Sequence, residues 1–331
     1  GIESGICYVE DAGRYYLNEA LGKIALYPAA LNLDKYVALI NSNAVAVILV
    51  EGTPRKLPTS RDIPVEWLSK GRLPMVVISY EEALEMIKRG AKTSRIKLVQ
   101  NEMEAKSANV IVDIRGSRYP DEIVGLAAHY DSTKGTIGAT DNAAGTAILL
   151  ELMRTVSRTV PKRTLRFIFC GAEELGLRGS RDYVGRHAKE LEKIKLLVNV
   201  DIHGQALGWT NCTVTGSDQT KDYVESMTKE LGLSLEISQD NVSSDSASFA
   251  MKGVPAVSFL RSGGASFFTH TREDDTAGVL PHGFVSIGLI LENLCHRLTM
   301  AEEFPLAREI PDNVTKKVKD YFEKKLGEKS V

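Results

Sequence analysis

Seven side chains able to bind a divalent ion or move a proton stand in the second half of the chain, five of them at predicted strand ends. After the apolar run Ile123 to Ala128 come His129, Tyr130 and Asp131; after Leu165 to Cys170 come Glu173 and Glu174; and Leu196 to Val200 runs directly into Asp201. In open α/β sheets the ligand crevice lies outside the carboxyl ends of the strands, so three neighbouring strand ends would bring one imidazole and four carboxylates together. Asp141, at the start of a long predicted helix, and His270, in the polar loop Thr269-His270-Thr271-Arg272-Glu273-Asp274, add to this set. Carboxylates gathered this closely repel one another unless cations neutralise them, and a His and carboxylate environment without thiolates suits Zn or a related divalent ion. A single tetrahedral catalytic zinc takes three protein ligands, whereas five direct ligands are enough for two ions sharing one bridging carboxylate.

Regular elements must hold these groups in place. From Ile123 onward the chain reads as βα units: Ile123 to Ala128 has the near-continuous apolar pattern of a parallel strand buried on both faces. Asp141 to Arg158 reads as a helix whose Glu151, Arg154 and Arg158 share one face and leave the rest to cover a sheet. Further strands are expected at Leu165 to Cys170, Leu196 to Asp201, Thr213 to Thr215 and Ala256 to Leu260, and helices at Leu177 to Leu191, Gln219 to Leu231 and Pro281 to Leu298. A last amphipathic helix carries Val314, Val318, Tyr321 and Phe322 on one side, with Gly327 after it.

The region from Leu21 to about Ile114 has a different texture. Short β-rich runs at Lys23 to Leu26, Ala44 to Val50, Met75 to Ile78, Ile96 to Val99 and Asn109 to Ile114 are interrupted by two helix candidates. One spans Leu33 to Ile40; the other opens with Ser79 and Glu82 at capping-box spacing and stops at Gly90. No ionisable cluster there has ligand spacing, so it reads as a packing or substrate-shaping region. The fold class is α/β, a mostly parallel central sheet flanked by helices with a smaller α+β domain before it, and the expected domains are 1–107 and 108–331.

Five segments stand in a definite order: His129-Tyr130-Asp131-Ser132, Gly138-Ala139-Thr140-Asp141-Asn142-Ala143-Ala144-Gly145, Gly171 to Ser180 with Glu173-Glu174 inside it, Asn199-Val200-Asp201, and His270 to Asp274. Together they resemble the motifs of the co-catalytic zinc aminopeptidases, family twenty-eight of the metallopeptidases in clan MH, over about Asn109 to His296. The resemblance implies the zinc-exopeptidase fold. The preceding region, with Gly22 to Leu26, Ala44 to Val50 and Leu73 to Ser79, resembles a protease-associated domain more weakly.

Carried over residue by residue, the resemblance implies two Zn ions, with Co or Mn as substitutes: His129 and Asp201 hold one, Glu174 and His270 the other, and Asp141 bridges them. Glu173 becomes the general base, and Asp131 orients His129 from behind. The implied chemistry is hydrolysis of peptide N-termini, in which the ions lower a water's pKa towards about 7 and stabilise the oxyanion while Glu173 moves the proton. His203 is left open between a pocket-lining and a structural role, and His187, His282 and His296 are expected to be structural. Two positions depart from the family pattern: Thr269 stands where a tyrosine commonly precedes the last histidine, and Ser246 where a histidine often follows the aspartate of Ser244-Asp245. The chain also opens at Gly1 already inside the protease-associated region, so either it is trimmed or the catalytic domain is completed differently.

Competing readings are a carboxypeptidase acting on C-terminal acidic residues, for which Arg178, Arg181, Arg261 and Arg272 are candidate anion binders, a single-zinc glutaminyl cyclase, and a receptor-like binding module of the same fold that has lost its metals. The intact ligand set argues against the last. With 41 basic against 43 acidic residues in 331, the chain offers no broad cationic surface for nucleic acid. The longest apolar run, Ala44 to Val50, is far below the roughly 20 residues a bilayer demands. The expected partners are therefore peptides, with no nucleic acid and no membrane span, and a homo-oligomer is left open. The four cysteines lie far apart without a CxxC pair and read as small packing residues. Unpaired cysteines suit a reducing interior, relatives with a protease-associated domain are commonly extracellular, and the compartment stays open between secreted and cytoplasmic.

Overall fold

The computed structural model describes residues 1–28, 30–101 and 103–327. They divide into two compact units, one formed by Gly1–Ala105 with the segment from Phe322 on, the other by Lys106–Tyr321. The expected second domain ran to residue 331. The last helix instead changes unit at Phe322, because Phe322 and Leu326 are buried and Gly327 runs beside Trp67 and Leu33 of the first unit.

In the first unit, β1 (Ile2–Tyr8), β2 (Ile24–Tyr27), β3 (Ala46–Val50), β4 (Met75–Ile78) and β5 (Thr93–Ile96) form one sheet in the order β4-β3-β2-β1-β5, parallel except for β5 against β1. The strand expected at Ile96 to Val99 lies three residues earlier. Ile2 pairs with Ile96 and buries it, whereas Leu98 and Val99 are exposed, so the apolar run marked the end of the strand and not its body. The capping box is as read: Ser79 Oγ accepts the Glu82 N–H at 3.2 Å and the Glu82 carboxylate accepts the Ser79 N–H at 2.8 Å, opening the helix Tyr80–Lys88.

The second unit carries the cluster of ionisable residues. Its strands are β6 (Val110–Ile114), β7 (Tyr119–His129), β8 (Arg163–Cys170), β9 (Ile194–Val200), β10 (Trp209–Thr215), β11 (Glu236–Gln239) and β12 (Ala256–Ser262), in the order β11-β10-β12-β9-β7-β8-β6. Pairing is parallel through β12-β9-β7-β8 and between β10 and β11, and antiparallel at β10-β12 and β6-β8. The run Asn109 to Ile114, read with the first region, is thus an edge strand of this second sheet. Alternate residues explain the apolar runs: Val124, Leu126, Ala128, Phe167 and Val198 face one core, while Ile123, Ala127, Ile168, Cys170 and Leu197 face another. Helices Ala144–Val156, Asp218–Glu230 and His282–Met300 cover the first face, and Tyr183, Val184 and Phe249 fill the second.

Two helix expectations change, and one further helix appears. The helix expected from Asp141 starts at Ala144, because Asp141 and Asn142 have non-helical backbone angles. The helix expected over Leu177 to Leu191 is two, Arg178–Arg186 and Ala188–Leu191, broken at His187 (φ −104°, ψ 27°), whose ring stacks on Tyr183 at 4.6 Å. A short helix, Ser246–Ala250, carries no periodic apolar pattern and was not anticipated. All four cysteines are free and buried, as packing residues are expected to be. No helix among the described residues is long and apolar enough to cross a membrane.

Leu126, fully buried at the centre of β7, tests this architecture. Leu126→Ala is expected to lower unfolding stability by about 2 to 5 kcal/mol through lost burial and the cavity left behind, read from the denaturant midpoint. A change below about 1 kcal/mol would show that this strand is not the centre of the core.

Candidate metal centre

Because β9, β7 and β8 are adjacent and parallel, their carboxyl ends open on one edge of the sheet. His129 ends β7, Asp201 follows β9, and Glu173 and Glu174 lie in the turn after β8. Two loops close on this edge, one bringing Asp141 and the other His270.

The meeting is close. His129 Nε2 lies 3.2 Å from Asp141 Oδ1 and 3.2 Å from Asp201 Oδ1. On the other side, His270 Nε2 lies 3.1 Å from Asp141 Oδ2 and 3.1 Å from Glu174 Oε2. Two trios result, His129, Asp141 and Asp201 in one and Asp141, Glu174 and His270 in the other, with ligand atoms in each trio within 4.8 Å of one another. The two oxygens of Asp141 face different trios. Glu173 and Asp131, named in the sequence analysis beside the ligand-type residues, stand next to the trios and outside both.

The local backbone explains why Asp141 can do this. Asn142 Oδ1 accepts the Gly145 N–H at 3.1 Å and Asn142 Nδ2 donates to the Val200 carbonyl at 2.9 Å, so the helix is capped one residue after Asp141 and pinned to the end of β9. A Cβ at Gly145 would stand 2.2 Å from Asn142 Oδ1, and one at Gly138 (φ +66°) would stand 2.4 Å from Ser132 Cβ. The two glycines that bound this motif are therefore required by close approach. Asp274 holds the same segment from the His270 loop: Thr140 donates to its Oδ1 through N–H at 2.9 Å and Oγ1–H at 2.7 Å, and the Asp141 N–H donates to its Oδ2 at 3.2 Å.

Asp131 does more than face His129. Its Oδ1 is 3.6 Å from His129 Nδ1 while its backbone carbonyl is nearer, at 3.1 Å. Its two carboxylate oxygens accept the backbone N–H groups of Glu173 at 3.0 Å and Glu174 at 3.2 Å, so one side chain fixes the turn that carries both glutamates. Asp201 is held in turn by Ser244, whose hydroxyl donates to Asp201 Oδ2 at 2.7 Å and accepts from Asn199 Nδ2 at 2.8 Å. Ala172 (φ +57°), Ile202 (φ +51°) and His270 (φ +64°) occupy the left-handed region, in the segments that carry Glu173 and Glu174, Asp201 and His270. Such positions cost on the order of 1 kcal/mol or more each and persist only where the surroundings over-determine them.

The charge balance shows what fits. Burial alone would lower the His129 pKa, yet the carboxylates of Glu173 and Asp201 hold it well above its ordinary value; His270 is likewise pushed up to about 10, against burial, by Asp141 and Glu174. Glu173 is driven well above the usual carboxylate range by burial, against the pull of His129, and then by Asp201, Asp245 and Glu174. Asp245, fully buried, is itself pushed up to about 6 by burial. The carboxylates thus repel one another and draw protons onto the imidazoles, a site short of positive charge. Glu174 Oε1 is buried with no hydrogen-bond partner. Divalent cations fit this donor set: they supply the missing charge and give the orphaned oxygen a partner.

Sequence reasoning named every member of the two trios, but Asp274 only as part of a motif, and Thr140, Asn142 and Ser244 without roles. Short polar residues in loops give no periodic signal, and only their partners reveal them. His203 is buried with Nδ1 3.0 Å from the Asp201 backbone oxygen and its pKa pushed down to about 3 by burial. His282 and His296 lie on an exposed face of His282–Met300. Thr269 Oγ1 is buried without a partner, and Ser246 accepts a hydrogen bond from Ser258 at 2.8 Å. Arg261, among the candidate anion binders, spends its guanidinium on the Gln205 carbonyl at 2.7 Å and the Ala206 carbonyl at 3.4 Å.

Comparison with known proteins agrees with the geometry. The chain is 28% identical over 338 aligned residues to Aminopeptidase YwaD of Bacillus subtilis, covering 97% of this chain and 70% of that protein. It is 31% identical to Carboxypeptidase Q of Rattus norvegicus over 62% of this chain and 45% of that protein, so it spans less than half of that relative. Among solved structures it is similar to BSAP, a zinc aminopeptidase from Bacillus subtilis, at a TM-score of 0.69 and 23% identity, over 95% of this chain and 79% of that one, which establishes a shared fold. The model of Peptidase family M28 matches residues 109–294, more than half of the chain and all of the strand ends and loops that hold the two trios; the chain belongs to peptidase family M28.

Proposed function

We propose that the protein is a dizinc aminopeptidase that hydrolyses N-terminal residues from peptides. The observation that carries the reading is the pair of trios sharing Asp141, with a glutamate adjacent to a ligand yet belonging to neither. His129 and Asp201 would hold one zinc, Glu174 and His270 the other, and Asp141 both. Zinc bound there supplies Lewis acidity, lowering the pKa of a water and polarising the scissile carbonyl. Glu173 takes the proton of the attacking water and returns it to the nitrogen of the leaving amine. A base suited to this task titrates nearer neutrality than a free carboxylate, and burial beside Asp201, Asp245 and Glu174 moves Glu173 in that direction. Asp131 holds the backbone of both glutamates and so sets where the base stands. YwaD, similar over almost the whole chain, is named an aminopeptidase, and BSAP a zinc aminopeptidase. Of the four arginines offered to the acidic carboxypeptidase reading, Arg261 is committed to backbone carbonyls.

For the first unit the reading is a small protease-associated-like domain that supplies no ligand, since both trios, Glu173 and Asp131 lie in the second.

Metal analysis of the zinc-loaded chain is expected to approach two ions, with activity against amino-acid p-nitroanilides, none against N-blocked dipeptides ending in glutamate, and no cyclisation of N-terminal glutamine. One ion at full activity sinks the two-metal reading. Glu173→Gln keeps size and hydrogen-bonding reach but cannot accept the proton, so kcat should fall by about 10² to 10⁴-fold with metal content retained. Glu174→Gln should instead lose metal. If the first variant loses metal and keeps its per-metal activity, the roles are misassigned.

Asp131→Asn replaces an acceptor-only carboxylate by an amide whose single oxygen can serve only one of the two backbone donors, while its NH2 faces the other. Zinc affinity, measured by competition with a chelator, is expected to drop by about 10- to 100-fold. Unchanged affinity would remove Asp131 from the account of the site.

A further inference from the structure

Asp274 has no assigned role, yet it joins the two loops on which the centre depends. It lies four residues after His270 and is buried, with 2% of its surface exposed. Its carboxylate accepts three hydrogen bonds, all from the Asp141 segment: Thr140 N–H and Oγ1–H on one oxygen and Asp141 N–H on the other. Its backbone carbonyl accepts the Ala139 N–H at 3.3 Å, and its own N–H donates to the Thr271 carbonyl at 3.1 Å. The Thr271 hydroxyl donates to the Phe268 carbonyl at 2.6 Å and closes the loop around His270 from the inside. One carboxylate therefore spans the sequence gap between the residue that faces both trios and the imidazole of the second.

We infer that Asp274 is the positioning residue that fixes Asp141 against His270, and so sets the geometry of the shared carboxylate between the two metal positions. The inference rests on the reading of Asp141 and His270 as ligands. Asp141 and Asn142 have non-helical backbone angles inside a single π-turn, and the two backbone groups before the Asp141 side chain, Thr140 N–H and Asp141 N–H, both end on Asp274. A neutral amide cannot reproduce this: Asn at 274 offers one acceptor oxygen and turns N–H groups toward a donor. Charge matters too, because three N–H and O–H dipoles converging on a carboxylate form the stronger class of hydrogen bond.

The test is binding of Zn²⁺ alone to the chelator-stripped full chain, by competition with a chromophoric chelator, with thermal unfolding of each metal-free form alongside. The wild-type chain is expected to take up two ions. Asp274→Asn should weaken at least one of them by about 10- to 100-fold, the range seen when partners behind metal ligands are removed. Thr140→Val deletes only the 2.7 Å hydroxyl bond at nearly constant volume and should weaken the same site by a smaller factor, with its metal-free unfolding midpoint close to wild type. Thr140→Ser, which keeps the hydroxyl, should restore wild-type binding. If Asp274→Asn does not fold, the Thr140 pair decides. Two ions bound with wild-type constants by both Asp274→Asn and Thr140→Val overturn the inference alone, as does equal weakening in Thr140→Val and Thr140→Ser, which would make packing the cause. A wild-type chain that binds no zinc overturns the ligand reading itself and this inference with it.

Discussion

The carboxylate of Asp141 lies between two imidazoles, with one oxygen 3.2 Å from His129 Nε2 and the other 3.1 Å from His270 Nε2. Much of the second unit can be understood from what this contact requires. Asp141, Asp201 and Glu174 converge on the same two histidines, and in a buried setting their mutual repulsion exceeds what two imidazoles can offset unless they carry protons or cations stand between them. The same carboxylates shift the two histidines upward against burial, and burial, with Asp201, Asp245 and Glu174 adding to it, pushes Glu173 above its usual range in the same place. An arrangement this unfavourable without cations exists only if the scaffold forces it, and the scaffold is the parallel run β9-β7-β8, which delivers its carboxyl ends to one edge.

The forcing is done less by the ligands than by what stands behind them. Asp131 holds the turn of Glu173 and Glu174 by their backbone N–H groups, Ser244 holds Asp201, Asn142 caps the helix that Asp141 would otherwise enter, and Asp274 holds the backbone of Asp141. Each is a short polar side chain with few rotamers, spending hydrogen bonds on a loop that has no ladder of its own. Left-handed Ala172, Ile202 and His270 mark the three loops where the path of the chain is set by function and not by backbone preference.

This division explains what was legible in the sequence. Buried parallel strands announce themselves by apolar runs, and Ile123 to Ala128, Leu165 to Cys170 and Leu196 to Val200 mark the edge where the trios form. Ser79 and Glu82 announced a helix start because their chemistry is local. What failed was governed by distant partners. β1 was missed because its alternation is broken by Gly5 and its pairing to Ile96 lies at the far end of the unit; β5 was then misplaced for the same reason. The helix at Asp141 was begun too early because helix periodicity cannot register Asn142 reaching back to Val200. The left-handed residues are not glycines, so composition gave no warning. Asp274 was visible as a letter in a motif and silent as a role, since its three donors come from more than a hundred residues away.

Adjacent glutamates with different fates are the sharpest consequence of this frame. Glu174 reaches His270 Nε2 and enters a trio, whereas Glu173, one residue earlier, does not, although both emerge from a turn that a single carboxylate pins. In an extended strand neighbouring side chains diverge by alternation. Here the strand has already ended at Cys170, and the divergence comes from the turn after the left-handed Ala172, whose fold is closed by Glu173 O accepting the N–H groups of Gly176 at 2.9 Å and Leu177 at 2.7 Å. A carboxylate meant to carry a proton must stay near the cations and remain unbound by them, because coordination would remove its basicity. The turn satisfies both demands at once: it commits one glutamate to the cluster and holds the other beside it, in an environment raised by burial and by Asp201, Asp245 and Glu174. On the proposed assignment, the separation between ligand and base is written into backbone geometry, and Asp131, which grips that backbone at both residues, is where it is enforced.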